Sequence, residues 1–362
     1  MFRFTTTPIR QGGHLLRSVV QPVTRITAPP SVVSRRTYAI KGKKKLAPSP
    51  IAKAARNRPR RDVVFETRPF PYFRSRHKEL EIKHVTAKEA YDIYINYMKA
   101  LAVPNKAADW QQQFVKDNNT TPAGVYEVAT FVSHFPNIAG DEYHLQCMMM
   151  NTAAEMKYEI AALSLGRQLY KAKSKQNYFN FEQPRWQKAR AICLRLIKEG
   201  RNANALVLNG LMHLERKTDR DDYLALEAFH QAEALAKDSG FFDWLASCLE
   251  GQGEAYLRLG EKNKAIDVFT RLAARDFPQG YWRLAQVLPN DPSYLELLSK
   301  AAASGIFDAF EPLMKEHDKL RQRSLDMGNA DEALYHEREA AEWGRLFKAN
   351  KEYDIQKETN YA

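Results

Sequence analysis

Gly253-Glu-Ala-Tyr256-Leu-Arg-Leu-Gly260-Glu-Lys-Asn-Lys-Ala265-Ile-Asp-Val-Phe269 is the stretch on which the fold turns. It reads as two helices joined at a glycine. Gly253 and Ala265 are small enough to let the helices of a hairpin approach closely, and Tyr256 and Phe269 are placed to fill the space between successive hairpins. Gly260 supplies a turn conformation that a Cβ would resist. The pattern recurs. Ala265, Phe269 and Leu272 are spaced four then three, as are Ala225, Phe229 and Ala232 forty residues earlier. Ala189, Ala225 and Ala265 are separated by 36 and 40 residues, and Ala301 and Ala340 by 39. Self-similarity at such a period is the signature of stacked helical units.

The small–aromatic–turn–Ala–aromatic order resembles the tetratricopeptide repeat. Lys300-Ala301-Ala302-Ala303-Ser304-Gly305 is similar to the close of the second helix of the related Sel1-like repeat, with looser matches at Glu339-Ala340-Ala341-Glu342-Trp343-Gly344 and at Gln231-Ala232-Glu233 with Gly240. The resemblance covers residues 184–347 and is best over 246–279, where Leu249 stands in place of the expected Trp. It implies an all-α chain whose repeats wind into a right-handed α-α superhelix, a solenoid that binds partners on the concave face lined by the first helix of each hairpin. In the best repeat that face carries Glu250 and Glu254. Two carboxylates oppose an acidic client tail and suit a basic or polar client helix; the alternative is a merely solvated acidic face.

The rest of the body is also helical in pattern, with no sustained period-two alternation. Thr86-Ala-Lys-Glu89 is a capping box opening a helix to about Leu101. A second helix is predicted over 106–116, and a third from Pro122 to Ser133. These form an N-terminal helical subdomain, residues 85–183, which a long helix from Asp141 to Lys173 completes. Asp291-Pro292 reads as an N-cap with Pro at N1, Gly328 as a helix stop, and Asn329-Ala-Asp-Glu332 as the next cap. Residues 348–362 read as a C-terminal tail.

Charge divides the chain sharply. The first 61 residues hold fifteen Lys and Arg and no Asp or Glu, whereas the remaining 301 hold 40 basic and 43 acidic side chains. The formal net charge of +12 therefore belongs to the N-terminus. An Arg-rich, Ser/Thr-rich, acid-free start predicts a mitochondrial presequence over 1–38, with cleavage after Tyr38 in Arg36-Thr37-Tyr38-Ala39. Residues 39–84 read as a basic, proline-containing linker or tail, with disorder expected over 39–61. Its cations, among them Lys41, Lys43, Lys44, Lys45, Arg56, Arg58, Arg60 and Arg61, suit RNA phosphates or anionic lipid headgroups, or form an uncommitted linker. Within it, Arg68–Arg76 reads as a strap packed on the helices or as a docking peptide.

No catalytic constellation emerges. His336-Glu337 opens like a zinc-protease helix, but the second ligand position holds Ala340. Phosphate loops, dinucleotide fingerprints and nucleophile elbows are missing from the sequence, so no cofactor and no metal is expected. Cys147, Cys193 and Cys248 lie far apart among apolar residues and predict reduced, buried thiols. No run of eighteen apolar residues suggests a transmembrane helix. Phe277, Tyr281, Trp282 and Arg283 stand out as an aromatic–Arg cluster, either interface anchors or filler between repeats. The expectation is a non-catalytic matrix adaptor or assembly factor, peripheral to the inner membrane or free of it, that binds subunits of a respiratory or other mitochondrial complex. The alternative is a structural or accessory component of the mitochondrial ribosome whose basic tail contacts rRNA.

Overall fold

A computed structural model describes residues 67–80, 82–103, 106–135, 140–171 and 179–360. The predicted presequence, the cleavage site and the basic residues Lys41 to Arg61 lie outside the described residues. Fifteen α-helices and two short 3-10 turns, with no strand, make up the regular structure among the described residues. These residues form two compact units, one ending at Gly251 and the other beginning at Gln252.

The first unit contains α1 (Phe70–His77), α2 (Ala87–Ala102), α3 (Trp110–Asp117), α4 (Pro122–Ser133), α5 (Gly140–Glu155), α6 (Glu159–Leu169), α7 (Gln187–Glu199), α8 (Ala203–Leu214), α9 (Asp219–Leu235) and the start of α10 (Leu245–Arg258). Thr86 makes both bonds of the predicted capping box, accepting from the Glu89 N–H at 3.2 Å while Glu89 accepts from the Thr86 N–H at 2.7 Å. Thr121, Asn202 and Thr218 cap α4, α8 and α9 through their side-chain oxygens. Besides contacts between sequence neighbours, α2 packs on α4, α5 on α7 and α6 on α8. Alternate helices thus share a layer, as stacked hairpins require.

Three sequence expectations change here. The linker predicted to reach residue 84 stops earlier among the described residues, because α1 is part of the core. Phe73 is fully buried, with ring centroids 5.1–5.8 Å from Tyr91, Tyr94, Phe131 and Phe135. Arg68 ahead of it forms a bidentate pair with Glu142 at 2.8 and 3.1 Å, and Glu127 accepts from the N–H groups of Lys83 and His84. The helix expected from Asp141 to Lys173 breaks in two at Met156-Lys157-Tyr158. Lys157 takes φ +69°, and the Tyr158 N–H turns back to the Ala153 carbonyl at 3.1 Å, closing α5 with the six-to-one bond of a helix stop. The second predicted helix starts later than expected, at Trp110.

The second unit contains the end of α10, then α11 (Lys262–Ala273), α12 (Pro278–Val287), α13 (Tyr294–Ala303), α14 (Phe310–Asp326) and α15 (Ala330–Asn360), each from α11 onward packed on the next. Gly260 takes φ +77° between α10 and α11, and Gly328 φ +74° between α14 and α15. Asp291 is not the N-cap of α13. Its carboxylate accepts from the Ser293 N–H at 2.9 Å, and the helix begins at Tyr294. Helix α15 continues through residues 348–360, where the sequence suggested a tail.

The repeat is legible in what is buried. Ala189, Ala225, Ala265, Ala301 and Ala340 are all buried and fall on α7, α9, α11, α13 and α15, every second helix of the chain. Phe229 of α9 lies against both Gly210 of α8 and Gly251 of α10, so that a Cβ on either glycine would overlap its ring. Phe269 of α11 lies against Gly253 of α10 in the same way. Burying one such ring contributes about 2–3 kcal/mol by transfer alone. Between α11 and α12 the approach is tighter still: Gly280 rests on the backbone of Leu272 and Ala273.

Candidate partner-binding face

The aromatic–Arg cluster predicted in the second unit is turned mostly inward. Tyr281 and Trp282 are half-buried, and Trp282 packs on the apolar cluster of Ala285, Leu298, Ala301 and Phe310. Tyr281 touches that cluster and the one around Ala265 and Phe269. Its hydroxyl donates to Asp276 at 2.7 Å, which together with burial pushes its pKa up to about 12. Lys300 lies over its ring at 5.4 Å. Phe277 is half-buried at the N-cap position of α12. Arg283 pairs with Glu254 at 3.8 Å, and Arg258 also bonds Glu254. Glu254 therefore stands between two guanidiniums and is not the bare carboxylate expected from the sequence.

A different cluster forms in the first unit, built entirely from even-numbered helices. Ser164-x-x-Arg167 on α6 and Trp244-x-x-Ser247-x-x-Glu250 at the start of α10 follow the three-residue spacing that keeps side chains on one helix face. Arg167 lies over the Trp244 ring at 5.0 Å and donates through Nη2 to the Ser247 hydroxyl at 2.6 Å. Asn204 of α8 sets the start of α10: its Oδ1 accepts from the Trp244 N–H at 3.3 Å and its Nδ2 donates to Asp243 at 3.2 Å. Tyr126 of α4 meets the Ser164 hydroxyl at 3.0 Å and packs on Tyr158 at 5.6 Å.

The electrostatics of this cluster follow from its partial burial. Arg167 is solvent-exposed, yet enough protein surrounds it that desolvation lowers its pKa, with Tyr170 and Glu250 opposing the shift. The Tyr126 hydroxyl is only half-buried, and desolvation raises its pKa against the hydrogen bond from Ser164. Glu250, singled out in the sequence, does belong here. Arg167, Trp244 and Tyr126 were passed over because each stands alone among apolar residues, although an Arg closing Ala161-Ala-Leu-Ser-Leu-Gly-Arg167 is the polar interruption that marks an outward stripe.

Among the described residues no group of three or more His, Cys, Asp or Glu is arranged to hold a metal ion. All three cysteines are free and buried, and burial pushes Cys147 and Cys193 up to about 12. No helix of the described residues is long and apolar enough to cross a membrane. No protein-family model matches this chain, and no curated protein matches it.

Proposed function

We propose that this chain is a non-catalytic helical-repeat scaffold of the mitochondrial matrix that serves as an adaptor or assembly factor, with the hairpins from residue 184 onward forming a tetratricopeptide/Sel1-like solenoid. The supporting observation is the recurrent wedge of Phe229 against Gly210 and Gly251 and of Phe269 against Gly253, together with buried alanines on every second helix. Such packing stabilises rigid hairpins and leaves the other helices to face a partner. The cluster around Arg167, Trp244 and Tyr126 is the partner face in the first unit, since aromatic and Arg side chains contribute most to protein interfaces. The mitochondrial address rests on the acid-free start of the chain.

Proximity labelling in intact mitochondria with the full chain tests this reading. Labelling of one membrane-associated complex, with co-migration that survives RNase, is the expected result. The second reading, a ribosomal component, draws on the nine cations of residues 39–61. Salt-sensitive migration with ribosomal subunits, lost when residues 39–61 are deleted, would replace the first reading with the second. A reporter carrying residues 1–40 that stays in the cytosol of import-competent cells removes the address.

A further inference from the structure

We propose that Arg167, held over Trp244, is the subsite for a single aspartate or glutamate side chain of a protein client; this rests on the scaffold reading above. The guanidinium is accessible, its plane is fixed against an indole, and one N–H donates to Ser247. An Arg has five N–H donors, so several remain to meet a carboxylate in forked geometry. Among the described residues Arg167 makes no ion pair, in contrast to Arg68 with Glu142, Arg195 with Glu159 and Arg283 with Glu254. A partly desolvated cation that feels Glu250 but makes no direct ion pair still gains from a carboxylate delivered by a partner.

The chemistry of the surroundings narrows the ligand. Glu250 acts on Arg167, and Asp243, which accepts from Asn204 at 3.2 Å, acts on Tyr126. A single guanidinium with one carboxylate acting on it disfavours a phosphate near −2 more than it disfavours a monoanion. Tyr126, Tyr158 and Trp244 supply aromatic surface beside the charge, which fits an acid embedded in a peptide rather than a small free anion.

The test uses the full chain, wild type and with Arg167→Gln or Arg167→Glu, each shown by circular dichroism to retain its helix content. A displayed random-peptide library is selected on each protein, and selected peptides are resynthesised for calorimetry. Wild type is expected to select peptides sharing an internal Asp or Glu. Replacing that acid by Asn or Gln weakens binding about tenfold, R167Q weakens it equally, and the two changes together cost no more than either. Arg167→Glu is expected to select Lys or Arg at the same position. Selected peptides that bind wild type and R167Q alike, or that share only a C-terminal carboxylate or a phosphomimetic cluster, overturn the subsite and leave the scaffold reading standing. No enrichment on any of the three proteins overturns both.

Discussion

The two units are built on one packing device but spend their charges differently. In both, a phenylalanine closes against glycine, Phe229 in the first unit and Phe269 in the second. In the second unit, the Arg that sequence neighbours mark as an anchor, Arg283, is drawn to Glu254, and its companions Tyr281 and Trp282 fill space between helices. In the first unit, Arg167 has aromatic and hydroxyl partners but no direct ion pair. Adjacent aromatics in a repeat array therefore report packing more readily than binding.

The shared device is where the largest effects are expected. Phe229→Ala removes a fully buried ring from between two glycines and should destabilise the first unit by about 3–5 kcal/mol; Phe269→Ala should do the same to the second. Chemical denaturation followed by helix circular dichroism measures both. A cost under about 1 kcal/mol at either site would show that the wedge is not a common element of the two units.

Gly280 and Gly344 sharpen the point within the second unit. A Cβ at Gly280 would overlap the backbone of Leu272 and Ala273, so Gly280→Ala should cost about 1–3 kcal/mol. At Gly344 the nearest atom is the Met314 sulfur, at 3.1 Å on a flexible side chain. Gly344→Ala should be neutral or stabilise by up to about 1 kcal/mol through helix propensity. Equal effects at the two positions would contradict a close α11–α12 approach.

How much of this was legible in the sequence follows the physics of each feature. The alanine period could be read because it is carried by residue size at fixed spacing, whereas Phe269, expected between successive hairpins, lies against Gly253 of its own hairpin. Gly210 and Gly251 escaped notice because their shared partner, Phe229, lies on the helix between them, a relation that a single hairpin does not display. The α5–α6 break was invisible because Lys157 adopts a left-handed conformation without the Gly or Asn that would announce it. Helix α1 reads as linker because five prolines and a dense run of cations across residues 39–84 hide one buried ring, Phe73. The Arg167 cluster joins α4, α6, α8 and α10, and only the fold brings residues so distant in sequence together.

Acid should separate the two units. In the second, His317 and His336 are buried with their Nδ1 atoms 3.0 Å apart, so one must donate and the other accept. Burial, and then the charge of His336, lower the His317 pKa, while Glu339, Glu316 and Asp318 oppose the shift. The folded state thus favours neutral His317. Its contribution is fully present above the unfolded value of about 6.5 and is lost as pH falls from there through the lower folded value. In the first unit, Asp221 is held down to about 2 by hydrogen bonds, first from His213 and then with Thr218. That contribution is present above about 3.9 and disappears only as pH falls towards 2. Thermal unfolding across this range should show the second unit weakening first, and His317→Gln should flatten its slope below about pH 6.5. Coincident loss of both units at every pH would count against the histidine contact.

The smallest expected effect bears most directly on the two arginines. Arg283→Gln removes one of two guanidiniums at Glu254, and Arg258 remains to satisfy that carboxylate. The cost should be at most about 1 kcal/mol, because a half-exposed pair at 3.8 Å contributes little. Arg167→Gln removes no ion pair, relieves a partly desolvated charge and gives up a cation–π contact of about 0.5–1 kcal/mol, terms of opposite sign. Its net effect on stability should lie within about 0.5 kcal/mol of zero. Raised salt should narrow the deficit of Arg283→Gln more than it moves Arg167→Gln, since only the former loses a direct ion pair. An Arg167→Gln loss exceeding that of Arg283→Gln would mean that Arg167 is a structural residue after all, with its charge already compensated within the fold.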